Sequence, residues 1–173
     1  MANRFQDGSM DTGERAKAVE RLLRERGLRI ATAESLTGGM LASVIVGVPG
    51  ASDVFDGGVV TYTNQLKTKL LGVDAELLET RGPIDGDVAV QMALGARELF
   101  GSAVTVASTG VAGPAPASGA DPGTAYIAVA VEGQDVAVRA LRLKGDRLRV
   151  RERVVGRALE LLEAALRQSA GLT

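Results

Sequence analysis

Apolar positions along the chain follow helical and strand rhythms that alternate at first and then change order. Across residues 14–26, Ala18, Val19, Leu22 and Leu23 recur at helical spacing opposite a charged side, and Gly27 stops the run. Residues 28–33 then read as a short strand. Met40, Leu41, Val44 and Ile45 read as a helix with one buried face, broken by the Gly-Val-Pro-Gly run at 47–50. Residues 51–56 form an ambiguous connector, while the β-branched stretch 57–64 (GGVVTYTN) reads as a strand. Residues 65–71 give one or two helical turns ending at Gly72, and Asp74 is suited to cap a short helix reaching Thr80. Asp85 or Asp87 caps the next helix, whose Val88, Met92, Leu94, Ala96, Leu99 and Phe100 make a mostly apolar surface.

The small, branched run at 103–108 suits a central strand covered on both faces. A loop rich in Gly, Pro, Ala and Ser follows. Segments 124–131 and 136–143 then flank a turn signal, Glu-Gly-Gln-Asp, as a hairpin. From near Asp146 to Gln168, Val154, Val155, Ala158, Leu159, Leu162, Ala165 and Leu166 keep helical spacing. This order predicts an α/β fold: a three-layer α/β/α sandwich on a mixed, mostly parallel sheet, with a C-terminal hairpin and a long terminal helix. Residues 1–12 are polar and aperiodic, so they read as a flexible tail or an added remnant, with Met10 a candidate start. Residues 13–170 read as a single domain.

Composition narrows the chemistry mainly through what is missing. Apolar residues are 46% and charged residues 24%, as in ordinary globular proteins. Twenty basic against twenty-one acidic side chains leave a net charge of -1, which gives no reason to expect a nucleic-acid partner. No apolar run approaches the roughly 20 residues of a membrane span and no signal-peptide pattern opens the chain, so the expectation is a cytoplasmic protein without a membrane partner. With no cysteine and no histidine, thiolate nucleophiles, sulfur-ligated metals and the commonest general base are all excluded. No clustered Asp motif suggests a magnesium site, and neither metal nor cofactor is expected. Proton transfer is left to Lys, Asp, Glu or Tyr.

Two glycine-rich loops follow predicted strands: Ser35-Leu-Thr-Gly-Gly39 and Thr109-Gly-Val-Ala-Gly113. Ligands of open α/β sheets gather at the carboxyl ends of strands, so both loops are expected to face one crevice. Neither carries a Walker or dinucleotide-binding spacing. At a strand-to-helix junction Ser35 is a candidate nucleophile of a small amidohydrolase, and equally a helix N-cap. A third segment, Thr61-Tyr-Thr-Asn-Gln-Leu-Lys67, puts Tyr62 and Asn64 on one face of a strand end with Lys67 just beyond. Lysine acts as a base only when desolvation or nearby positive charge lowers its pKa from about 10.4. Ser–Lys acyl transfer works on that logic, although spacing alone fits Lys67 better as a solvated helix charge beside Lys69.

Together these segments resemble the C-terminal domain family of the competence/damage-inducible protein CinA. The shared pattern is TAESLTGG (32–39), GGVVTYTNQLK (57–67), STGVAGP (108–114), PGTAYIA (122–128) and KGDRLRVR (144–151). The larger family members carry an additional N-terminal domain. Stand-alone members are nicotinamide-nucleotide amidohydrolases, so the resemblance implies conversion of nicotinamide mononucleotide to nicotinic acid mononucleotide and ammonia. Carried onto this chain, Ser35 would attack the amide carbon, Lys67 would take its proton and Tyr62 would assist. Backbone amides of the Ser35 loop, or of the loop holding Thr109, Gly110 and Gly113, would stabilise the oxyanion. Thr37, Gly38, Gly39 and Arg147 are candidates for the 5′-phosphate and Asn64 for the amide or ribose. The partner expected is thus a small-molecule nucleotide, with a homodimer or higher homo-oligomer as the assembly. The alternative is a non-catalytic nucleotide-binding or interaction module linked to competence or DNA damage. Against the usual family pattern, Leu36 replaces a cysteine and Asp85 a serine, and Ala120-Asp121-Pro122 lacks a lysine near the presumed pocket.

Overall fold

The computed structural model describes residues 11–168. The elements run α1 (Thr12–Glu25), β1 (Ile30–Glu34), α2 (Met40–Val46), a 3-10 turn (Ala51–Asp53), β2 (Phe55–Val60), α3 (Asn64–Leu71), α4 (Ala75–Thr80), α5 (Gly86–Phe100), β3 (Val104–Gly110), β4 (Thr124–Val131), β5 (Ala137–Arg142) and α6 (Arg147–Gln168). One five-stranded sheet has the order β2-β1-β3-β4-β5. The pairings of β1 with β2 and with β3 are parallel, and the β3-β4 and β4-β5 pairings are antiparallel. The expected tail at 1–12 lies mostly outside the described residues, and where the chain is described Asp11 and Thr12 already open α1.

Alternation along the strands sorts the side chains into two helical layers. On one face Ile30, Val104, Val106, Ala125, Ile127 and Val129 meet α1, α2 and α6 in a single buried cluster. On the other, Ala33, Ala107, Ala128 and Ala130 offer only methyl groups, and Met92, Ala93 and Ala96 of α5 lie close against them. The result is the three-layer α/β/α arrangement.

The first crossover carries the chain from β1 outward to β2, and the second returns it across β1 to β3. The connections therefore diverge between the ends of β1 and β3, the place where open α/β sheets form a crevice. Ser35 sits there, its N–H donating to the Ser108 carbonyl at 3.0 Å.

One expected strand is shorter. β2 ends at Val60, not Asn64, because Thr63 is extended (φ -102°, ψ 156°) and its hydroxyl accepts from Leu66 N–H to cap α3. The alternation that was to put Tyr62 and Asn64 on one strand face does not exist. Asn64 is the first residue of the helix, exposed. The β-branched letters of the segment concealed a capping threonine.

α3 is pressed onto α5 at Gly95, where an added Cβ would stand 1.9 Å from the Leu71 carbonyl oxygen. Alanine improves an exposed helix position by about 1 kcal/mol over glycine, whereas forced overpacking costs about 1–3 kcal/mol or more. Gly95→Ala is therefore expected to destabilise the protein by about 2 kcal/mol in urea denaturation, with no change in the denaturant slope.

Candidate active site

Lys67 is the largest fully buried side chain among the described residues, with 1% of its surface accessible. The cause is helical geometry: Lys67 and Leu71, one turn apart, both lie on the buried face of α3. Lys69, two residues on, is exposed and points elsewhere. The solvated surface lysine that spacing alone favoured is not what forms. Lys67 Nζ donates to Ser35 Oγ at 3.1 Å and to the Thr61 carbonyl at 2.8 Å. Burial disfavours the charged amine and brings its pKa from 10.5 down to about 8. Ser35 itself is buried, with 8% exposed. Thirty-two residues apart in sequence, the two meet because the Thr61 N–H bonds the Glu34 carbonyl at 2.9 Å, continuing the β1–β2 ladder to the foot of α3.

Ser35 is not the cap of α2. The helix begins at Met40, after Gly39 in the left-handed region (φ 91°). Within the glycine turn, the amides of Gly38 and Gly39 are occupied from within. Glu34, 1% exposed, accepts Gly39 N–H at 3.0 Å, Leu41 N–H at 3.0 Å and Ala42 N–H at 2.8 Å. A carboxylate bound by the chain's own amides occupies the place where an external anion would be held. Sequence reasoning passed over Glu34, although an acidic residue closing a buried strand just before a glycine turn was a usable signal.

The remaining contacts of the turn are also internal. Thr37 Oγ1 and Ser108 Oγ lie 2.7 Å apart, both fully buried. Gly38 N–H reaches back to the Ser35 carbonyl at 3.2 Å. Arg151, one turn beyond Arg147 on α6, donates to the Leu36 carbonyl at 3.0 Å and to the Thr37 carbonyl at 2.7 Å. It too escaped the sequence reading, because no spacing links it to the turn 114 residues earlier. Among the described residues, the N–H groups of Leu36, Ala112 and Gly113 have no hydrogen-bond partner.

A cleft of about 200 Å³ opens over Ser35 and Lys67. Its walls come from Leu36 and Tyr62, from Pro83 and Ile84 ahead of α5, from the loop 109–113 and from Ala115, Ala117 and Ser118. The two glycine-rich loops thus share one crevice. Thr109 Oγ1 donates to the Pro83 carbonyl at 2.6 Å and joins two of the walls. Arg147 lies at the rim, donating to the Gly113 carbonyl at 2.8 Å and to the Tyr62 hydroxyl at 2.9 Å. Tyr62, 58% exposed, has no hydrogen bond to Ser35 or Lys67 among the described residues. Of the residues singled out from sequence, Ser35, Tyr62, Lys67, Thr109, Gly110, Gly113 and Arg147 line this cleft. Thr37, Gly38, Gly39 and Asn64 do not. Leu36 keeps its side chain in the core, 4% exposed, and Asp85 does cap α5 by accepting Asp87 N–H. No cluster of three or more potential metal ligands occurs among the described residues, and no helix there is long and apolar enough to cross a membrane.

Fold and site define an α/β protein with a desolvated serine–lysine pair at the switch point of its sheet. The family model for the CinA C-terminal domain matches residues 13–166, and the chain belongs to that family. It is 45% identical over 137 residues to a putative competence-damage inducible protein of Geobacillus kaustophilus. It is 44% identical over 147 residues to a CinA-like protein of Gemmatimonas aurantiaca. These alignments cover 79% and 84% of this chain but 33% and 34% of the relatives, so the chain spans about a third of their length. A crystal structure of a CinA superfamily protein from Klebsiella pneumoniae superposes with a TM-score of 0.88 at 32% identity, covering 92% of this chain and 99% of that one. A competence/damage inducible protein from Agrobacterium tumefaciens gives 0.86 at 36% identity, covering 94% and 99%.

Burying the amine has a stability consequence of definite sign. The unfolded lysine keeps its proton up to about 10.5 while the folded one loses it near 8. Between those values the unfolded state binds more protons, so stability rises with pH across that window. Below it, folding carries a penalty on the order of 3 kcal/mol for the charged amine. Lys67→Met is expected to raise the melting temperature at pH 7. Its advantage over the parent should shrink at pH 10, as read by thermal denaturation at both values.

Proposed function

We propose that the protein hydrolyses the carboxamide of nicotinamide mononucleotide to nicotinic acid mononucleotide and ammonia, through a Ser–Lys acyl mechanism. The observation that carries the reading is the 3.1 Å contact between Ser35 Oγ and a lysine amine whose pKa burial has lowered to about 8. At pH 7 about a tenth of such an amine is neutral, against less than a thousandth of a solvated one. The substrate class is what the resemblance to the CinA C-terminal domains implies, and membership of that family supports the reading.

Neutral Lys67 takes the Ser35 proton as Oγ bonds to the amide carbon, and the carbonyl oxygen becomes an oxyanion. The Leu36 N–H, next to Ser35 and without an internal partner among the described residues, is the donor that would receive that charge. Lys67 then returns its proton to the departing nitrogen, the C–N bond breaks and ammonia leaves an ester on Ser35. Water adds to the ester with Lys67 again accepting a proton. The carboxylate is released as Ser35 is reprotonated. With the α2 amides held by Glu34, the nucleotide's 5′-phosphate is left to Arg147 and the free amides of Ala112 and Gly113 at the rim. Apolar Pro83, Ile84 and Val111 suit the flat pyridine ring.

Ammonia release from millimolar nicotinamide mononucleotide tests the reaction. Its absence with the intact protein would favour a binding or interaction module instead. Ser35→Ala is expected to remove at least a thousandfold of the turnover, leaving nucleotide binding within about twofold. Because the neutral amine is the active form, log(kcat/KM) should climb with unit slope below about pH 8 and level off above it. A flat profile from pH 6 to 9 would remove Lys67 from the role of base.

A further inference from the structure

Resting on the Ser35 nucleophile just described, we propose that Arg151 is a positioning residue of the oxyanion site. It acts through a relay of peptide groups and does not touch the substrate. In a trans peptide, the C=O of one residue and the N–H of the next point in opposite directions, so holding one aims the other. Arg151 Nη2 holds the Thr37 carbonyl at 2.7 Å, which sets the direction of the Gly38 N–H. That N–H binds the Ser35 carbonyl at 3.2 Å, and holding the Ser35 carbonyl in turn aims the Leu36 N–H. Leu36 lines the cleft although its side chain is packed in the core, and its N–H has no partner among the described residues. The guanidinium's second grip, Nε on the Leu36 carbonyl at 3.0 Å, keeps the intervening peptide from rotating.

The relay runs from a cation on α6 to the amide beside the nucleophile. Each hydrogen bond in such a chain polarises the next, so the positive charge also strengthens the terminal donor. A planar, forked side chain offers two donors fixed in direction to two successive carbonyls, a geometry that a single rotatable ammonium matches less well, so arginine suits the position better than lysine. Arg147, one turn earlier, ties the rim through the Gly113 carbonyl and Tyr62. The two arginines divide the work, one setting the substrate's surroundings and the other the attack geometry.

The test compares the intact protein with Arg151→Lys and Arg151→Met in two assays. One is steady-state hydrolysis of nicotinamide mononucleotide. The other is labelling by a fluorophosphonate, in which the Ser35 oxygen displaces fluoride from phosphorus, Lys67 takes the proton and the phosphoryl oxygen sits in the same donor site. Losing an oxyanion donor outright costs about a hundred- to a thousandfold, so a mis-aimed donor is expected to lower kcat and the labelling rate by about ten- to a hundredfold. KM should stay within twofold and the pH midpoint near 8 should not move. The lysine variant, with one grip restored, should fall between the methionine variant and the parent. Unchanged kcat and labelling in both variants would overturn the proposal. So would a kcat loss accompanied by a displaced pH midpoint, which would mean that Arg151 acts by loosening the buried lysine. If Arg151→Met fails to fold, the lysine variant decides on the same criteria. A parent protein that is labelled but releases no ammonia would refute the amidase reading and leave the Arg151 effect to be judged by labelling. A parent inert in both assays would refute the two together.

Discussion

A lysine amine kept from water is the constraint that organises this domain. Lys67 has one hydroxyl and one carbonyl for company, and neither is a charge that could neutralise it. An ammonium there lacks hydration, so folding shifts the balance toward the neutral amine. Holding that base against Ser35 needs α3 fixed in height and rotation. Thr63 fixes its start, Gly95 lets its end sink against α5, and Leu71 anchors the face that Lys67 shares. The alanine-lined side of the sheet serves the same end, since larger side chains at Ala33 or Ala107 would hold α5 further out.

Around this pair the polar groups are divided between those that build the turn and those left for a ligand. Glu34 uses up the amides of α2, and Arg151 and Ser108 use the carbonyls and hydroxyl of the 35–38 turn. A glycine turn that resembles an anion cradle is therefore filled by a carboxylate from the preceding strand. Among the amides left over, those of Leu36, Ala112 and Gly113 line the cleft, beside Ser35 and on the loop after β3. On the proposed function, substrate recognition is thereby left to the part of the cleft near Arg147.

Much of this was legible in the sequence where one local rule governs. Apolar and β-branched runs marked the strands approximately, and 3.6-residue spacing marked the longer helices, because those positions are buried. Asp74 was readable as a cap, and the cap of α5 as Asp85 or Asp87, since a cap needs only its own next few residues. The segment 61–64 was misread where two local rules compete, β-branched propensity against threonine capping. Arg151 and Glu34 were illegible for a different reason. Their roles depend on which loops the sheet order brings together, and no spacing encodes a contact between residues 37 and 151. Lys67 lay between the two cases: its stripe with Leu71 was in the sequence, but a charged residue in that stripe reads more readily as a solvated edge.

The choice of lysine, in a chain without histidine, also sets how the site is exposed to pH. A histidine base would be mostly neutral at pH 7 without any burial, and would need no help from the core. On the proposed mechanism a lysine base works only as long as the packing around it excludes water, so activity would depend directly on tertiary structure. Any substitution that lets water reach Nζ is expected to raise its pKa and lower the neutral fraction before it unfolds the domain. The alanine face and the α3–α5 contact at Gly95 bear on that base through the position of α3, and the Thr61 carbonyl holds the amine directly.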